Sequence, residues 1–92
     1  MKAQLVFKRP GRVEIDVNTS EQGFVYVSVG QFTEAGYQHL ANIQGVSPTQ
    51  CFLIDHGDSW VLEVAEARFH LRPNEARQVN EQIGIQIYKS TL

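Results

Sequence analysis

With a single cysteine, an internal disulfide is excluded, and Cys51 lies in the apolar run Cys51-Phe52-Leu53-Ile54, where it reads as a small buried hydrophobe. A reducing compartment is expected. Long hydrophobic runs are also missing. No stretch approaches the roughly 20 apolar residues that span a bilayer, and the opening M-K-A-Q-L-V-F-K-R-P lacks the apolar segment of a secretory signal. The expectation is a soluble cytoplasmic protein without a membrane partner. Charge of one sign is scarce too: 8 Lys and Arg against 10 Asp and Glu give a net charge of −2. That balance disfavours strong sequence-independent binding to phosphate backbones, though a local basic patch is compatible with it. Neither a G-x-S-x-G elbow, a G-x-G-x-x-G or P-loop, nor an H-E-x-x-H occurs. Enzymatic chemistry therefore has no support, and no cofactor or metal is called for.

What is present suits one domain over residues 1–92. A chain of this size buries about two thirds of its unfolded surface and folds without staples. Ala3 to Lys8 alternates, with Ala3, Leu5 and Phe7 opposite Gln4, Val6 and Lys8, and Val13, Ile15 and Val17 alternate with Glu14 and Asp16. Period two means strands. Between them, Pro10 and Gly11 suit the two central positions of a tight turn, giving a hairpin. Phe24 to Val29 is β-branched or aromatic nearly throughout, which fits a central strand covered on both faces. Phe24 and Tyr26 lack the flanks of an RNA-binding platform and are assigned to the core.

Thr33 as N-cap, a Phe32/Tyr37 staple, an apolar face of Tyr37, Leu40, Ala41 and Gln44, and Gly45 as C-cap together predict a helix from about Glu34 to Gln44. Gln50–Ile54, Ser59–Val64 and Phe69–Leu71 read as strands. A second helix is expected over Pro73–Ile83, with Glu75 bonding back to the cap position and Gly84 closing it, although Arg72 is a poor cap; Ile85–Tyr88 is the last strand. The alternation breaks at Val64-Ala65, so either a tight turn sits near Ala65 and Glu66 or one long bent strand carries a bulge there, and because Ala-Glu lacks the Asn, Asp or Gly of a two-residue turn the bulge is favoured. The whole predicts an α+β fold: a two-layer, mainly antiparallel sheet of five to seven strands with two helices on one face, in approximate order βββαβββαβ.

The densest cluster of reactive side chains is Cys51 to Asp58, which holds a thiol, a histidine and two carboxylates. Cys51 and His56 stand most of a strand apart, roughly 16 Å, too far for a thiolate–imidazole pair. Asp55, His56 and Asp58 lack further ligands at a recognised metal spacing. Asp55-His56-Gly57-Asp58 is therefore read as a solvent-exposed turn, and Trp60 beyond it as largely buried. His39 and His70 have no adjacent carboxylate, and Glu63 and Glu66, on one strand, point to opposite faces. The suggestive charges are Lys8, Arg9 and Arg12 at the first hairpin tip, with Arg68, His70 and Arg72 as a second group of period two. The resulting expectation is a small non-enzymatic protein-binding module of adaptor, inhibitor or other regulatory type, acting through a sheet edge or loop surface. Its partner is expected to be a protein, with a homodimer open. The alternative is an anion- or nucleic-acid-binding module using Lys8, Arg9, Arg12, Arg68 and Arg72.

Overall fold

The computed structural model describes residues 2–89. The first half is a four-stranded antiparallel meander in which β1 (Gln4–Arg9), β2 (Val13–Thr19), β3 (Val25–Thr33) and β4 (Gly36–Val46) lie in chain order. The second half builds another sheet from β5 (Cys51–Asp55), β6 (Trp60–Val64), β7 (Ala67–Leu71) and β8 (Ile87–Lys89), ordered β7-β6-β5-β8, with only β8 parallel to its neighbour. Helix α1 (Pro73–Ile83) connects β7 to β8. The class is α+β and mainly antiparallel as expected. The single sheet of five to seven strands with two helices is corrected to eight strands in two sheets and one helix among the described residues.

Period two decides what is buried. Leu5 and Phe7 of β1, Ile15 and Val17 of β2, and Val25 and Val27 of β3 face inward, and they share one apolar cluster with Leu53, Leu62, Val64, Phe69 and Leu71 of the second sheet. Ala76 and Val79 close that cluster, as α1 packs against β1, β2 and β6. At the open end of the first sheet the Ala3 N–H donates to Thr19 Oγ1 and the Thr19 N–H to Ala3 O, both at 2.9 Å. No helix among the described residues is long and apolar enough to cross a membrane.

The expected helix at Glu34–Gln44 is strand β4. Its apolar spacing is helical only because the strand is bulged. The pairing jumps between Val25↔Val46 and Val27↔Ile43, and again between Val29↔Ala41 and Gly30↔His39, each jump adding one residue on the β4 side. Tyr37 therefore faces outward against Phe32, while Ala41, four residues on, faces the core side opposite Val29. Gly45 does adopt the left-handed conformation expected of it, at φ 62°, but in a bulge rather than a helix cap. Gly36, at φ 114°, would have lain inside the helix, where glycine is unfavourable.

Three further expectations are corrected. Ala65 and Glu66 form a two-residue turn between the paired Val64 and Ala67, at φ 48° and 73°, not a bulge. In-register pairing sets Leu62 against Phe69, both buried, and that burial outweighs the roughly 1–2 kcal/mol per residue of the left-handed backbone. β3 is covered on one face only: Val25 and Val27 are buried while Phe24 is exposed and Tyr26 half-buried. Trp60, expected to be largely buried, is half-buried and packs against the rim of the core. In contrast, α1 runs over the expected residues. Glu75 accepts the Arg72 backbone N–H at 2.9 Å, and Gly84 closes the helix at φ 80°.

Candidate functional site

Strand alternation separates the three cations of the first hairpin. Lys8 lies exposed on the outer face, whereas Arg9 follows Leu5 and Phe7 on the inner face. The Arg9 guanidinium donates to both oxygens of Glu75, at 2.8 and 2.5 Å, and further to the carbonyls of His70 (3.1 Å) and Lys8 (3.0 Å). Glu75 is itself only 6% exposed. Burial pushes its carboxyl up, but hydrogen bonds from Arg9 and from the Arg72 backbone, with the positive charge of Arg9, outweigh burial and hold it below the usual carboxylate range. Arg9 thus fastens β1 to the start of α1, and its charge is already neutralised.

Arg12 sits in a three-residue loop, Pro10 to Arg12, because Arg9↔Val13 is the last pair of the hairpin; Gly11 and Arg12 both take positive φ, at 77° and 62°. The side chains of Lys8 and Arg12 have no ion pair or hydrogen bond among the described residues. Both line a hollow of about 260 Å³ together with Arg9, Val13, Glu14 and Phe32.

The second basic group does not form one stripe. Arg68 lies on β7 opposite Glu63, with the charged groups 3.6 Å apart, and His70 shares that outer face. Arg72 precedes α1 and adds positive charge beside Glu75, so Arg9 and Arg72 converge there while Arg68 does not. Glu63 and Glu66, expected on opposite faces, both line a shallow hollow of about 420 Å³ with Phe52, because the turn at Ala65-Glu66 carries Glu66 back.

Asp55-His56-Gly57-Asp58 is a turn: the His56 N–H donates to Ser59 O at 3.0 Å, Asp55 Oδ1 accepts the Gly57 N–H at 2.8 Å, and Gly57 takes φ 94°. Cys51 is buried, with its thiol pushed up to about 11 by burial and its Sγ 3.5 Å from Ser47 O. The three histidines fall on separate parts of the fold, His39 on β4, His56 in the turn between β5 and β6, and His70 on β7. No group of three or more metal-ligating side chains forms among the described residues.

The surface that sequence reasoning missed is the edge strand β4. Of its eleven residues only Val46 is buried, and only Ala41 and Ile43 are half-buried. From Ala35 to Ile54 the chain carries no Lys, Arg, Asp or Glu, and β4 contains no proline, so charge and proline, two common devices that keep an edge from pairing, are missing. At its turn end, Phe32, Tyr37 and His39 form an aromatic ladder with ring centres 4.9 and 5.0 Å apart. The Tyr37 ring lies over Gly30, where no side chain fits beneath it. Leu40, at the outer bulge, is 51% exposed. The signal that could have revealed this strand is Gly36, a poor residue for the first turn of a helix.

No protein family, curated protein or solved structure matches the chain.

Proposed function

We propose that this protein is a small protein-binding module that engages an extended segment of its partner along the β4 edge. The supporting observation is the edge itself: eleven residues long, exposed, uncharged and free of proline, with Phe32, Tyr37 and Leu40 exposed beside it. Added-strand recognition needs such a row of open backbone groups for affinity and side chains of alternate facing for specificity. The two bulges limit regular pairing to short runs, which favours a short partner strand over a long one. Affinity capture from the native cell with parent protein and with Gln38→Lys/Asn42→Lys tests it, since both positions are exposed on β4. A stoichiometric protein recovered by the parent, lost by the variant, and protecting β4 amides from hydrogen exchange is expected. Equal recovery by both, or protection elsewhere, refutes the edge reading.

A second reading, anion or nucleic-acid binding, draws support from the hollow lined by Lys8, Arg12 and Phe32, where two cations without partners among the described residues stand beside an exposed ring. It predicts salt-dependent binding of single-stranded oligonucleotides that weakens in Lys8→Gln/Arg12→Gln.

A further inference from the structure

Trp60 opens β6 on the face whose next members, Leu62 and Val64, are fully buried, yet its own side chain is half-buried. Position is the cause: Trp60 pairs with Asp55 and Leu71 at the last step of the register, just where the chain leaves β7 for α1. The indole surface left over lines a hollow of about 190 Å³ with Pro73, Arg77, Asn80 and Ile87. Pro73, Arg77 and Asn80 are spaced four and three apart, which sets them on one face of α1. Ile87, in register with the fully buried Leu53, is 39% exposed at the sheet edge.

The chemistry of this lining is specific. Trp60, Pro73 and Ile87 supply apolar walls. Arg77 is a cation with no ion pair or hydrogen bond among the described residues, unlike Arg9 and Arg68, which are paired. The Asn80 side-chain N–H₂ donates to Ile85 O at 2.8 Å, which orients the amide and leaves its Oδ1 as an acceptor. At about 190 Å³ the hollow lies below the roughly 300–1,000 Å³ of small-molecule and cofactor sites, and its size suits one side chain. Tryptophan and arginine in a central pocket are the residue types that dominate binding energy between proteins.

We propose that this hollow is an anchor site for a partner polypeptide: one apolar side chain inserts against Trp60 and Ile87, and an adjacent Asp or Glu of the same segment pairs with Arg77. An uncompensated cation beside apolar walls selects a segment that is both apolar and acidic. The site shares no residue with β4, so it stands or falls independently of the edge reading.

The chain has one tryptophan, so its indole N–H gives one assignable signal in a nitrogen-15 correlation spectrum. The probes are acetyl-Glu-Leu-Glu-amide and acetyl-Lys-Leu-Lys-amide, each titrated to roughly 10 mM, above the millimolar dissociation constant expected for one buried side chain with one ion pair. The acidic peptide should move the indole signal saturably, about tenfold tighter than the basic one. Arg77→Gln should erase that preference, and Arg77→Lys should restore part of it. An indole signal that neither peptide moves, equal response to both peptides, or full acidic preference in Arg77→Gln overturns the proposal.

Discussion

Removing the Arg9 side chain should destabilise the protein out of proportion to its place near a hairpin tip. In the folded chain the guanidinium side chain is 19% exposed and that of Glu75 7%, so Arg9→Ala strands a buried carboxylate with the Arg72 N–H as its remaining hydrogen-bond donor. Losing one partner of a buried, doubly hydrogen-bonded ion pair costs about 3–5 kcal/mol. A domain of this size has roughly 5–15 kcal/mol in total, so the variant should lose a large share of its stability. Glu75→Gln keeps one oxygen acceptor and should cost less, about 1.5–3 kcal/mol. Arg9→Met/Glu75→Leu, which removes both charges while preserving volume, should recover most of the loss. Urea unfolding of the parent, the two single variants and the double variant measures each of these costs. A cost below about 1 kcal/mol for Arg9→Ala would mean that the pair behaves as an exposed one and would refute the buried-pair reasoning. The same pair sets an acid limit. Because the folded Glu75 carboxyl titrates below its unfolded value, its contribution is present above the unfolded pKa of about 4.3 and is lost as pH falls through the folded one. Stability should thus fall more steeply below about pH 4.3 in the parent than in Glu75→Gln.

Ala65→Asn/Glu66→Gly fits residues suited to positive φ into the β6–β7 turn and should raise stability by roughly 1–2 kcal/mol, seen as a higher urea midpoint at unchanged slope. No gain would mean the turn backbone is not left-handed. Gly30→Ala should cost about 1–3 kcal/mol, because a methyl there meets the Tyr37 ring, and the cost should shrink in a Tyr37→Ala background; an equal cost in both backgrounds would remove Tyr37 from the explanation. Cys51 should resist thiol reagents at neutral pH until the protein unfolds, since its thiol is buried and raised to about 11; rapid labelling of native protein would contradict this placement.

Several features of the fold were legible in the chain because they depend on neighbours in sequence. Alternation marked β1, β2 and β6, and Pro73, Glu75 and Gly84 bracketed α1 at its observed bounds, since caps act within one turn of the helix. Asp55 to Asp58 read as a turn for the same reason: Asp55 bonds its own backbone two residues on. Even the inward course of Arg9 was implicit, because it continues the alternation of Leu5 and Phe7. Tertiary structure alone decided the rest. β4 carries an apolar spacing of helical type, and only the paired edge of β3, with two bulges to absorb the mismatch, makes it a strand. Ala65-Glu66 bends as a tight turn because Leu62 and Phe69 must meet, a demand from residues that flank the turn rather than from the turn itself. Glu75, ordinary in sequence, becomes a buried anchor only when β1 arrives from 66 residues away. Local rules act over a turn or a pair of residues, whereas register, edges and buried charge are set by whichever strand or helix the folded chain places opposite.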